Sequence, residues 1–165
     1  MSLKSINFYS PTKGRMNLKQ VSREIAGFIN DDPGKKYRVV VGTDSNGDQV
    51  EADFVTAITV HRIGQGGRYF WTHSAKKKIG GLKQKVYEEV NLSLVYAQEL
   101  INELRKYKKE FEDLSQGFEI HIDVGQNGPT RDMIKEIVGM VRGNGFTAKT
   151  KPEAYTASIV ADRYT

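Results

Sequence analysis

Asp44, Glu89, Asp123 and Asp162 are spread across most of a 165-residue chain, yet each stands where an acid needs a reason. Asp44 closes the apolar run Arg38-Val-Val-Val-Gly-Thr-Asp, and Asp123 closes Phe118-Glu-Ile-His-Ile-Asp. Advancing ~100° per residue from Val86 along a helix puts Glu89 on the border of the apolar stripe, while Glu88 points well away. Asp162 falls near the end of a predicted terminal helix, where the helix dipole disfavours an acid. Carboxylates brought together repel unless a cation or a proton intervenes. Mg²⁺ or Mn²⁺, a hard ion on oxygen ligands, is the natural answer. Two such ions ~3.5–4 Å apart can activate a water and stabilise the leaving oxygen of a phosphodiester. Each acid also has a plainer reading. Asp44-Ser-Asn-Gly is a turn sequence, Asp123 precedes a glycine-rich loop, Glu89 can be a solvated helix flank, and Asp162 can be mere surface. Convergence in space separates the two accounts.

The elements that must position these acids follow from periodicity. Leu18, Val21, Ile25, Phe28 and Ile29 predict a first helix with Asn17 as N-cap, broken by Pro33-Gly34. A strand is expected over Tyr37–Thr43, followed by "DFVTAITVHR", the turn "IGQGG" and the returning strand "RYFWTHS", an antiparallel meander. The basic segment "AKKKIGG" reads as a loop leading into a long helix with apolar positions Leu82, Val86, Val90, Ala97, Leu100, Ile101 and Leu104. "FEIHIDVG" is a strand with Phe118, Ile120, Ile122 and Val124 on one face and His121 and Asp123 on the other. A helix then buries Met133, Ile134, Ile137 and Val141, with Thr130 as its expected N-cap and Gly143 or Gly145 as its stop. "FTAKTK" is a short strand. "PEAYTASIVADRYT" is a terminal helix opened by Pro152, whose Ala154, Ala157 or Ser158, and Ala161 share one side and would let it approach the sheet closely. The expected architecture is α/β: a mixed five-stranded sheet with helices on both faces. It forms a single domain over 1–165, of which residues 1–35 are an N-terminal extension carrying one helix.

Composition bounds the chemistry. Without cysteine, disulfides and thiolate metal sites are excluded, so any metal sits on oxygen or imidazole. No apolar run approaches a membrane span, and "MSLKSINFYS" lacks the apolar core of a signal peptide, which leads us to expect a soluble cytoplasmic protein. A net charge of +5 is compatible with a polyanionic partner. Lys76, Lys77, Lys78, Lys83 and Lys85 precede the glutamate on its helix and could meet phosphates, making binding salt-dependent, or form a solvated lysine loop. Asn127 and Arg131, in the loop and helix start after Asp123, are candidates for the same contact. Tyr69 and Trp71 alternate with Phe70, so one set packs inside. His121 is expected to be a hydrogen-bonded core group.

Together these features resemble a known pattern. A meander whose first strand ends in "TDS", a helix glutamate, a later strand ending in aspartate and a final Ala-Asp in a terminal helix are similar to the ribonuclease H-like superfamily. "VVVGTDSN", "FVTAITVHRIGQGGRYFW", "HIDVGQNGPTRDMIKEIVGMVRGNGF" and "YTASIVADRYT" resemble more closely the bacterial YkuK family of that superfamily, from about Phe8 onward. The resemblance implies a ribonuclease H-like fold, two Mg²⁺ or Mn²⁺ ions and phosphodiester hydrolysis. It carries the superfamily's acids onto Asp44, Glu89, Asp123 and Asp162 as metal ligands and catalytic groups, with DNA or RNA as the partner. The rival expectation is a non-catalytic nucleic-acid-binding module on the same fold.

Overall fold

The computed structural model describes residues 3–48, 50–107 and 117–154. After a 3-10 turn at Leu3–Ser5, the strands β1 (Phe8–Ser10) and β2 (Gly14–Met16) form a tight antiparallel hairpin. Helix α1 (Leu18–Asp31) starts where the sequence placed it. Asn17 Oδ1 accepts the Gln20 amide and Gln20 Oε1 accepts the Asn17 amide, both at 2.8 Å, a reciprocal capping box. Its buried stripe contains Leu18, Val21, Ile25 and Phe28.

The meander is longer than its apolar runs suggest. Strands β3 (Tyr37–Gly47), β4 (Glu51–Arg62) and β5 (Gly67–Lys78) pair antiparallel in sequence. Strand β3 does not stop at Thr43: Asp44 lies within the ladder opposite Val55, and pairing continues to Gly47 opposite Ala52. The turn acid is Asp48, whose Oδ1 accepts the amides of Val50 and Glu51 at 2.7 and 2.8 Å. Gly47 is required there. Its φ is +131°, and a Cβ would lie 2.3 Å from the Glu51 carbonyl oxygen. Likewise the "AKKK" segment is not a loop, because β4 extends far enough to pair with it: Lys77 lies opposite Ala52 and Lys78 opposite Glu51, after a register shift between Ala52 and Phe54.

Helix α2 (Leu82–Leu104) follows, then β6 (Phe118–His121), a 3-10 turn at Arg131–Met133, α3 (Ile134–Gly143) and β7 (Thr147–Lys149). Thr130 precedes that turn but makes no side-chain capping bond. Its backbone is helical (φ −95°, ψ 0°) rather than the extended form an N-cap needs. Strand β6 ends at His121, so Asp123 lies just past its regular pairing.

The sheet has seven strands in the order β2-β1-β5-β4-β3-β6-β7, which corrects the five-strand expectation. The five expected strands are present, and the N-terminal hairpin adds two more through Tyr9 opposite Trp71 on β5. Strands of three residues are too short to show alternation; β7, equally short, is marked instead by its place after a helix stopped at glycine, a signal that the hairpin lacks. Phe8 anchors the hairpin: fully buried, it meets the Tyr96 ring of α2 edge-on at 5.6 Å. The main core joins α2 to one sheet face through Val39, Val41, Ile58, Val90, Leu100 and Leu104. Val40, Val55 and Ala57, with Trp71 against them, form a second apolar patch on the other face. Among the described residues no helix is long and apolar enough to cross a membrane. The expected terminal helix falls almost wholly outside the described residues, and Asp162 with it.

Candidate functional site

Strands β3 and β6 are parallel neighbours in the sheet, and their last paired residues are Gly42 and His121. Asp44 and Asp123 each lie two residues further on, so both acids stand just past the β3–β6 pairing at the same end of the sheet, Asp44 still within the β3–β4 ladder. Open α/β sheets place ligands in that crevice.

Helix α2 brings Glu89 to the same end. Its side chain is buried (7 % exposed) and receives a hydrogen bond from Ser45 Oγ on β3 at 2.5 Å. Below it, Ser93 Oγ donates to the Glu89 carbonyl at 3.0 Å and lies 2.8 Å from Thr43 Oγ1, which is in turn 2.8 Å from Thr56 Oγ1. This run of hydroxyls fixes α2 against β3 and β4 where the apolar core gives out. Burial pushes the Glu89 carboxyl up to about 7; the Ser45 bond and Lys85 pull the other way, and the charge of Asp123 adds to the rise. Glu89, Asp123, Thr43, Ser93 and His121 line one small void. Glu88, one residue away, faces Lys77 at the end of β5 and pairs with it. Of the two adjacent glutamates, Glu89 therefore points inward.

Asp123 is only partly buried, and its Oδ1 lies 2.5 Å from Lys151 Nζ. Both residues line an open cleft of about 710 Å³ with Gly125, Asn127 and Thr130. Asp44 is on the opposite face of β3 from Thr43 and Ser45, because strand side chains alternate, and shares that face with Val55. The structure thus brings Glu89 and Asp123 together from one side and sets Asp44 level with Asp123 on the next strand. Among the described residues, no three acidic or imidazole side chains form a ready-made metal cluster. The donor chemistry nonetheless fits a hard divalent ion. It consists of carboxylates and hydroxyls, with a buried carboxyl whose ionisation a neighbouring carboxylate opposes and a cation would favour.

The remaining candidates fall around this end of the sheet. Lys76, Lys77, Lys78 and Lys83 are exposed, as are Asn127 and Arg131. Lys83 stands 6.0 Å from the Tyr87 ring centre, and Arg131 lies 3.7 Å from Asp132. Phe70 packs in the core while Tyr69 and Trp71 lie on the other face, rings 5.9 Å apart. His121 is a core histidine. Burial holds it below its usual pKa against the upward pull of Glu119, whose Oε2 lies 2.8 Å from its Nε2, and Arg38 closes on the same carboxylate at 3.1 Å.

Two contributors escaped the reading of the sequence. Ser45 had a signal, since the residue after Asp44 must face the helix if Asp44 does not. Lys151 had none, because only the docking of the segment after β7 brings it to Asp123.

A central antiparallel meander extended by parallel β/α units, with acids just past the pairing of two neighbouring parallel strands, defines a ribonuclease H-like architecture. The chain matches the family described as "Ribonuclease H-like" over residues 20–165 and belongs to that family. It is also 31% identical over 177 residues to "Uncharacterized protein YkuK" of Bacillus subtilis (strain 168), a match covering 98% of both chains. No solved structure gives a significant match.

Proposed function

We propose that this chain is a divalent-metal-dependent nuclease that hydrolyses phosphodiester bonds, with Asp44, Glu89, Asp123 and Asp162 holding two Mg²⁺ or Mn²⁺ ions. The observation that supports this most is the buried Glu89 carboxyl beside Asp123, just past the β3–β6 pairing. A carboxyl is costly to bury in its charged form, and a second acid beside it raises that cost. An arrangement of this kind is expected where a cation binds. Bound there, the ions would supply a hydroxide nucleophile and positive charge at the leaving oxygen. The protein's own part is to hold the ligands. The strand β3 presents Asp44 from a rigid ladder, Ser45 orients Glu89 from α2, and Asp123 stands at the mouth of the open cleft. Asp162 lies outside the described residues, and its role rests on the family resemblance. DNA or RNA is the proposed substrate, and a single ribonuclease H-like domain the proposed organisation.

Cleavage of single-stranded, duplex, hybrid and branched substrates with Mn²⁺ or Mg²⁺ tests the proposal. Asp44→Asn and Asp123→Asn are each expected to lower the rate by at least ~10²-fold. Metal-dependent cleavage unchanged in both variants would overturn the site assignment. A second reading, a nucleic-acid-binding module without catalysis, draws on the Lys151–Asp123 pair, which neutralises that acid without any metal. Binding that persists in chelator, with no cleavage of any substrate, would favour it.

A further inference from the structure

The cleft beside Asp123 has two walls, built by segments far apart in the chain. One is the loop after β6. There the Arg131 amide donates to the Gly128 carbonyl at 3.2 Å and the Met133 amide to the Thr130 carbonyl at 3.0 Å, so the turn that carries Pro129 is closed on itself. The other wall is the segment after β7. Its Lys151 amide donates to the Val124 carbonyl at 2.9 Å, and the Thr150 carbonyl accepts the amides of Glu153 and Ala154 at 2.9 and 3.0 Å, which holds Pro152 in a second turn. The walls meet at Gly125, where a Cβ would come within 3.2 Å of Lys151 Cβ. The open space of about 710 Å³ between them has the size of a small-molecule site and is formed before any ligand arrives.

Its chemistry is not that of a phosphate site. The surface is mainly apolar, with Pro129 and Pro152 in the lining. Asp123 and Lys151 are the charged groups among the described lining residues, and they pair with each other, so no unbalanced positive charge faces the cleft. The polar groups that remain include the exposed carboxamides of Gln126 and Asn127 and the Thr130 hydroxyl. A carboxamide presents a donor and an acceptor side by side, the pattern that base edges display.

We propose that this cleft is a base subsite. It takes one unpaired nucleobase, laid against the proline-lined walls and held at its edge by the carboxamides of Gln126 and Asn127, next to the phosphate at Asp123. A paired base cannot serve, because its partner uses its edge and its neighbours in the stack use its faces. The base must be splayed out, as in single-stranded loops, bulges and ends. The proposal rests on the nuclease reading for the phosphate beside Asp123, and it narrows the substrate to a strand with an unpaired base at that point.

The full-length wild type and the Gln126→Ala/Asn127→Ala double variant are titrated in chelator with three fluorescein-labelled probes. These are a single strand of mixed sequence, the same strand made of abasic sugars, and the matching duplex. Wild type is expected to bind the single strand on the order of tenfold more tightly than the abasic strand, the scale of one stacked base. The double variant should lose most of that margin and bind the abasic strand and the duplex as the wild type does. Its slope of log affinity against log salt should stay at the wild-type value, because a base contact releases no counterion. Both side chains are exposed, so the urea midpoint is expected to be unchanged. Equal wild-type affinity for the single and abasic strands, or no binding of either, would overturn the proposal. So would a loss in the variant that is the same on all three probes. A slope lower by about 0.7 in the variant would assign these side chains to a phosphate instead and would also overturn it. Cleavage of the same probes with Mn²⁺ separates the two claims. Cleavage indifferent to Gln126 and Asn127 would leave the nuclease reading standing and remove the base subsite, whereas base-dependent binding without cleavage would do the reverse.

Discussion

Glu89 shows how one residue can tie stability to function. Its carboxyl is lifted from 4.5 to about 7, chiefly by burial, so the folded protein holds a proton there that the unfolded chain releases. A raised pKa contributes stability fully below about 4.5, and that contribution is lost as pH rises through about 7. The metal-free protein is therefore expected to lose stability across this window, by at most about 3 kcal/mol given ~1.36 kcal/mol per pH unit. Glu89→Gln, which stays neutral and can still accept from Ser45, should flatten that dependence and make the protein more stable than wild type near pH 8. Urea unfolding in chelator at several pH values checks it; identical pH profiles for both proteins would contradict the burial argument. The fate of Asp44 is instructive at the same scale. "DSNG" is a turn sequence, yet the turn falls four residues later, at Asp48, because β4 offers Asp44 and the residues after it a partner. Local preference yielded to pairing.

Among the elements, the N-terminal hairpin is the addition that the sequence did not reveal. Its link to the sheet runs through Tyr9 opposite Trp71, and its grip on the core through Phe8 against Tyr96. Phe8→Ala is expected to destabilise by about 3–5 kcal/mol, the usual cost of emptying a buried aromatic site. If the hairpin lifts away, it also uncovers the β5 edge, which can pair with another chain. Urea midpoints should fall, and light scattering should become concentration-dependent. A variant as stable as wild type would mean that the hairpin is held elsewhere. The long helix was more legible. Val86, Val90, Ala97, Leu100, Ile101 and Leu104 are all buried as their spacing demanded, and the same spacing identified Glu89 rather than Glu88 as the inward acid.

For the molecule as a whole, charge is the property with the plainest consequence. Net +5 is distributed partly over Lys76 and Lys78, exposed at the end of β5, whereas Lys77 is engaged by Glu88. If nucleic acid runs past this end of the sheet, Lys76→Gln and Lys78→Gln should each weaken binding and reduce the salt slope by about 0.7–0.9, with thermal stability unchanged. Equal loss of affinity at every salt concentration would assign these lysines a structural role instead.

Periodicity and residue type by themselves determined the α/β class, the five strands β3 to β7, the three helices before β7 and the identity of the inward glutamate. These depend on interactions within a few residues, or on which face must be buried, and such information is local. Only the tertiary structure decided that β3 runs on through Asp44, that the hairpin widens the sheet to seven strands, that Ser45 serves Glu89 and that Lys151 answers Asp123. Each of those is a pairing between segments distant in the chain, and the energy that selects it exists only once the partner strand or loop is in place.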